Sequence, residues 1–373
     1  MPLAALTLLA VWSILAPSAG GPLPGILVAL LASYGLTPVV RALALRSGAV
    51  DHPDSRKKHA APTPRLGGVA VIAAFVLAIG RPGLGGAAPA GGILDPELLA
   101  LALAALALML VGALDDTRGV PASTRLGVQV LCALGVVLAG VRLDLLSGPV
   151  GDFADVVLSV LWLVGITNAY NFIDGLDGLA TSLGALIAIL LAAAARRADQ
   201  ADLIAVCLVL AAALIGFLPH NFDLRRPARI FLGDSGSASV GFLLAGLSIK
   251  EDWAEGDPLV ALATPVLIFS ILIYDMAQTT LSRIASGRVR TFRQWIDYVG
   301  RDHIHHRLAD LLGGPRRALA LILVLSLALG LSALGLHRGD GGEALLFLLH
   351  GALILIVFAV IEGAAAHGSR RRS

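Results

Sequence analysis

The chain has 373 residues, 57% of them apolar and only 14% charged, with a mean hydropathy of +0.84. That balance excludes an ordinary soluble globular domain. A net charge of +2 says little about a partner, since the sign is sorted by side of the membrane, and no nucleic-acid partner is expected; Cys132 and Cys207, both inside apolar runs, read as small core residues rather than a disulfide or metal pair.

A membrane-spanning helix needs about 20 apolar residues, and such runs recur along the chain. Residues 1–20 are an ambiguous start: 2–16 are apolar but short, lack a basic leader and run into Pro17, Ser18, Ala19 and Gly20. Candidate spans follow at 24–45, 66–80, 97–114, 126–141, 155–172, 179–195, 203–219, 237–249, 258–280, 317–336 and 344–363. The pattern predicts an all-α polytopic membrane protein with about 11 transmembrane helices. Residues 21–365 form one transmembrane catalytic domain in this reading, and 366–373 a basic tail.

Basic residues sort the loops by side. The loops holding Arg46, Arg65, Arg118, Arg125, Arg225, Arg226, Arg229 and the stretch 283–317, with 56–58 and the tail 370–372, carry 21 of the 28 Lys and Arg. The opposite loops carry six, and Arg41 falls inside the first span. By the positive-inside rule the first set is cytoplasmic.

The polar clusters lie on that same side, so the site is expected to be a cytoplasm-facing cleft. After the first span, Asp51-His-Pro-Asp-Ser-Arg-Lys-Lys-His59 and Pro62-Thr-Pro-Arg-Leu-Gly-Gly68 supply cations suited to phosphate and glycines that let a helix start pack closely. They serve equally as ordinary positive-inside charges. The third span ends in Asp115 and Asp116, adjacent carboxylates that share a proton, face a cation, or simply end a solvated helix.

The densest cluster is Asn168-Ala-Tyr-Asn-Phe-Ile-Asp-Gly-Leu-Asp-Gly-Leu179, between two apolar runs. On a continued helix its Asn168, Asn171, Asp174 and Asp177, three apart, would line one face. Acidic residues at the end of a membrane helix are costly and mark ion or substrate sites. In Phe231-Leu-Gly-Asp-Ser-Gly-Ser237, Asp234 suits hard oxygen ligation of Mg²⁺, while the serines are explained as well by helix capping. The block Asp302-His-Ile-His-His-Arg-Leu308 fits no common zinc spacing and reads as donors to pyrophosphate oxygens. Asp275, inside the span 258–280, reads either as a buried polar residue paired with Gln278 or a neighbouring helix, or as part of the cleft.

Carboxylates for a metal, cations for phosphates and helix ends at the bilayer surface suit phosphoryl transfer from a soluble donor to a lipid. A secondary transporter would place its carboxylates at midplane depth in broken helices, and a membrane scaffold needs no such clusters.

Five blocks in order, 51–68, 112–116, 168–179, 231–237 and 303–308, resemble the polyprenyl-phosphate N-acetylhexosamine-1-phosphate transferases, over about residues 24 to 320. The Arg-Lys-x-His, Pro-Arg-x-Gly-Gly and His-Ile-His-His-Arg-Leu patterns are similar to the branch that loads N-acetylglucosamine 1-phosphate onto undecaprenyl phosphate. The phospho-MurNAc-pentapeptide transferases of peptidoglycan synthesis, with three consecutive histidines before Phe-Glu, are the alternative. The resemblance implies a UDP-N-acetylhexosamine donor, an undecaprenyl phosphate acceptor in the bilayer of the bacterial cytoplasmic membrane, a homodimer, and Mg²⁺ or Mn²⁺ as cofactor. It implies metal ligation by Asp234 and Asn171, and catalytic work by Asp115, Asp116, Asp174 and Asp177, with Asp115 the candidate base. It implies substrate binding by Lys57, Arg65, Asn168, His303, His305, His306 and Arg307. Direct attack by the lipid phosphate and a covalent phospho-Asp route both stay open.

Overall fold

In lipid, backbone polar groups must be bonded within the protein, so apolar runs become helices. The structure, a computed structural model, describes residues 22–51, 62–80, 95–250, 253, 257–298, 300–336 and 341–370. The ambiguous segment 1–20 and the loop positions 52–61 lie outside the described residues. Among those described there are fourteen α-helices and one two-stranded ladder, divided between two compact units, residues 1–251 and 252–373.

The first unit runs α1 (Leu23–Ser47), β1 (Val50–Asp51), β2 (Thr63–Pro64), α2 (Gly67–Ile79), α3 (Pro96–Arg118), α4 (Ala122–Leu138), α5 (Gly148–Ile173), α6 (Leu179–Arg197), α7 (Ala201–Asn221) and α8 (Asp234–Leu247). The helices begin and end where sequence chemistry allows. Asp95 caps α3 by accepting from the Leu98 N–H at 2.7 Å, with Pro96 at the first helical position. Gly48 closes α1 in the left-handed conformation, its N–H bonded to the Ala44 carbonyl.

Helix α8 is the hub of this unit. It is buried along almost its whole length, against α2, α3, α5 and α6. Its start is held by backbone lacing: Phe231 N–H donates to the Pro64 carbonyl at 2.8 Å, and Gly67 and Gly68 N–H donate to Phe231 and Leu232 at 3.0 and 2.8 Å. The approach needs glycine, since a Cβ on Gly68 would lie 2.0 Å from the Gly236 Cα. The close packing expected of the Gly67–Gly68 pair is what is observed.

The second unit holds α9 (Pro258–Ile268), α10 (Ser270–Ala285), α11 (Phe292–Asp297), α12 (Ile304–Leu311), α13 (Pro315–Gly335) and α14 (Gly341–Arg370). Helix α9 packs on α13 and α14, and α12 packs on α13.

The all-α membrane architecture stands; length and composition alone do not give all eleven expected spans. Among the described residues, seven helices are individually long and apolar enough to cross a bilayer, and eight if α9 and α10 make one span. The expected spans 66–80, 126–141 and 237–249 are helices of only 13, 17 and 14 residues. The run 258–280 is broken at Phe269 and bent by 77°, with Pro265 inside its first arm, where a proline removes a helical hydrogen bond. Cys132 and Cys207 are free thiols, Cys207 buried and Cys132 only partly so.

Candidate active site

The ends of α3, α5 and α8 carry one polar cluster in the first unit. Asp115 and Asp116 sit in the last turn of α3, Asn168 and Asn171 in the last turns of α5, and Asp234 opens α8. The four-residue ladder expected from the spacing is interrupted. Helix α5 stops at Ile173, α6 starts at Leu179, and Asp174 and Asp177 occupy the connector.

Arg125, on α4, holds the centre. Its Nη1 lies 2.5 Å from Asp115 Oδ2 and 3.4 Å from Asp234 Oδ1, so one guanidinium spans two carboxylates. Asp115 is fixed further by the Val120 N–H at 2.6 Å. The Asn171 amide donates to Asp234 Oδ1 at 3.0 Å, leaving its own carbonyl oxygen out of that contact. Asn168 is turned by Gln129, which accepts from it at 2.6 Å.

Asp116 does a different job. Only 7% exposed, it accepts from the Asp234 and Ser235 N–H groups, both at 3.1 Å, and so caps α8 from a neighbouring helix. Asp177 likewise accepts from the Ala228 N–H at 2.9 Å, tying the connector to the segment that leads into α8. Arg65 pairs with Asp51 across the two-stranded ladder, and its positive charge is felt at both Asp174 and Asp234. Withdrawal from water pushes the Asp174 carboxyl up to about 8, with the negative charges of Asp234 and Asp116 adding to the push. Lys57 lies outside the described residues.

Among the described residues no three His, Cys, Asp or Glu side chains form a metal cage. Mg²⁺ does not require one, because it keeps several waters and takes one or two carboxylates together with substrate phosphates. Asp234 beside the Asn171 amide offers hard oxygen donors of the kind this ion takes.

The histidine block belongs to the second unit. His303 Nδ1 is 2.8 Å from Asp275 Oδ2, and its Nε2 is 3.3 Å from Arg283 Nη2. Arg283 grips Asp302 through two bonds of 2.9 and 2.7 Å. His305 is buried, its ring 4.1 Å from His306 and parallel to His303 at 6.1 Å. Arg307 is engaged within the unit: it donates to Glu362 at 2.5 and 3.3 Å, to the Asp302 carbonyl at 2.7 Å, and to Gln278. The geometry makes Arg307 a strut between α12, α10 and α14.

From sequence alone Arg125 reads as a loop charge and Gln129 takes no role. A signal was there: Arg125 and Gln129 are four apart at the start of an apolar helix, so they share a face. Asp275 stands out in the sequence without its partner, because a contact 28 residues away leaves no local trace.

The chain is similar to several known proteins. The model of glycosyl transferase family 4 matches residues 98–251, which hold the whole carboxylate cluster. A probable undecaprenyl-phosphate N-acetylglucosaminyl 1-phosphate transferase of Bacillus subtilis is 31% identical over 342 residues, 90% of this chain and 89% of its own. A decaprenyl-phosphate N-acetylglucosaminephosphotransferase of Mycobacterium tuberculosis is 33% identical over 83% of this chain and 80% of its own. A phospho-N-acetylmuramoyl-pentapeptide-transferase of Synechococcus is 33% identical but covers 60% of this chain and 63% of its own. With similarity of this extent, and with the matched region centred on the carboxylate cluster, the chain belongs to glycosyl transferase family 4, the family of the polyprenyl-phosphate N-acetylhexosamine-1-phosphate transferases.

Proposed function

We propose that this protein transfers N-acetylglucosamine 1-phosphate from UDP-N-acetylglucosamine to undecaprenyl phosphate. The observation that carries the reading is the gathering of Asp115, Asp234 and Asn171 around Arg125 at three helix ends, in a chain similar over 90% of its length to an N-acetylglucosaminyl 1-phosphate transferase. An oxygen of the lipid phosphate attacks the sugar-linked phosphorus of the donor, the bond to the bridging oxygen breaks, and UMP leaves. The product is undecaprenyl-diphosphate-N-acetylglucosamine, the first lipid-linked unit of a cell-envelope glycan.

Such transfer is mostly positioning and charge neutralisation. Asp234 and Asn171 are the residues that would hold Mg²⁺, which neutralises phosphate charge when bound. Asp115, poised by Arg125 and the Val120 N–H, serves the lipid phosphate as base. Asp116 and Asp177 keep the start of α8 and its approach in place through backbone N–H groups. Of the histidine block, His305 and His306 address the donor's phosphates and sugar. The site faces the cytoplasm, on the strength of the 21-to-6 split in loop basic residues.

The test is purified protein with sugar-labelled UDP-N-acetylglucosamine, undecaprenyl phosphate and Mg²⁺. Label extractable into organic solvent, with UMP released in equal amount, is expected. Transfer from UDP-MurNAc-pentapeptide and none from UDP-N-acetylglucosamine would move the chain to the peptidoglycan branch.

A further inference from the structure

We infer that Asp275 is the positioning residue of the histidine block: it fixes one tautomer of His303 and the start of α12, and so holds His305 and His306 for the sugar-nucleotide donor. The inference rests on the donor role proposed above for that block.

Asp275 lies on α10 and is 2% exposed. A buried carboxylate is tolerated only when donors satisfy it, and its strongest contacts reach the histidine block. Oδ2 meets His303 Nδ1 at 2.8 Å, and Oδ1 accepts the Ile304 N–H at 2.6 Å. The Thr279 hydroxyl, one turn along α10, adds a weak contact at 3.5 Å. The Ile304 N–H is one of the unpaired donors at the start of α12, whose own cap residue, His303, makes no side-chain cap bond. Asp275 supplies that cap from another helix.

The tautomer follows from the partners. Arg283 Nη2 stands 3.3 Å from His303 Nε2, and a guanidinium has donors but no acceptor. Nε2 therefore presents its lone pair, and the ring proton sits on Nδ1, pointing at Asp275. Arg283 is itself immobilised by two bonds to Asp302 and by the Tyr298 ring, 4.4 Å from its centre. With both nitrogens spent inside the unit, His303 is a post and not a ligand contact.

His305 is the ring the post supports. It is 1% exposed, and neither ring nitrogen has a hydrogen-bond partner among the described residues. Burying two unpaired polar atoms is costly, so the ring stays there only because the surrounding framework holds it. Its plane is within 7° of that of His303, and the His306 ring lies 4.1 Å from its own. Two unspent nitrogens on a rigid mount are what recognition of a diphosphate or an N-acetyl sugar requires.

Steady-state kinetics of the full-length protein with Asp275→Asn, His303→Ala and the double variant test this. Asp275→Asn keeps the size and an acceptor for Ile304 but loses the charged acceptor for His303. Each single variant should lose about 10²-fold in kcat/KM for UDP-N-acetylglucosamine, mainly through KM, with the KM for undecaprenyl phosphate unmoved. The double variant should be no worse than the single ones, because both act through one post. Losses that multiply, or an equal rise in the lipid KM, would overturn the inference. A second arm needs no activity: in Asp275→Ala, peptide amides over 302–308 should exchange hydrogen faster than in wild type, and unchanged exchange sinks the idea. If the wild type transfers no label, the proposed function fails, and the exchange arm alone decides whether Asp275 holds the block.

Discussion

Gly112 offers the sharpest test of how the carboxylate cluster is built. It lies on α3 one turn before Asp116, where the helix passes the first residues of α8. A Cβ placed there would sit 2.4 Å from the Asp234 carbonyl oxygen and 2.5 Å from both the Asp234 carbonyl carbon and the Ser235 Cα. All three are backbone atoms, so no side chain can swing away to make room. Relief to ordinary contact near 3.5 Å requires the two helices to separate by about 1 Å. Overpacking of this kind costs about 1–3 kcal/mol of stability. The functional loss should be larger, because a shift of about 1 Å in a positioned group can cost 10²-fold in rate. Separation would also stretch the Asp116 contacts to Asp234 and Ser235, already 3.1 Å long. Gly112→Ala should therefore remain folded, by thermal melting in detergent, and transfer label about 10²-fold more slowly per folded molecule. Gly127→Ala, on α4 with open space around it, is the control and should behave as wild type. A Gly112→Ala protein with unimpaired turnover would show that the register of α3 against α8 does not set the geometry of the site.

Other expectations concern the individual side chains. Asp234→Asn should abolish turnover and raise the Mg²⁺ needed for any residual rate, whereas Asp115→Asn should lose about 10²–10⁴-fold with an unchanged Mg²⁺ titration; the reverse pattern would exchange the two roles. Replacing His305 or His306 by Ala should weaken use of the UDP-sugar, and activity restored by zinc would instead make the block a metal site. Arg125→Gln should impair turnover with either substrate saturating, since it releases Asp115 and Asp234 together; wild-type kinetics would reduce Arg125 to a loop charge. A cysteine introduced at position 290 should resist a membrane-impermeant reagent added to intact cells, and rapid labelling would invert the orientation.

Much of this molecule is legible before any coordinates. The long apolar runs become helices close to their expected limits, as at Leu179–Arg197 and Pro315–Gly335, because hydropathy over a span is a summed local property. The short helices α2, α4 and α8 were harder. Each is apolar enough to look like a span, yet its length is set by tertiary packing, such as the Gly68–Gly236 contact that buries the start of α8. The residue types of the site were visible as motifs, but their division of labour was not. Asp115 and Asp116 are identical and adjacent in sequence, and successive residues on a helix point about 100° apart. One consequently meets Arg125 and the other meets the backbone of α8. The same limit hid the partner of Asp275. A lone carboxylate in an apolar run announces that something must satisfy it, and the sequence offers Gln278, one turn along the same helix, as the nearest answer. The structure gives Gln278 to Arg307 and Asp275 to His303. Buried charge is thus readable as a demand, while the residue that meets the demand is chosen by how α10 and α12 pack.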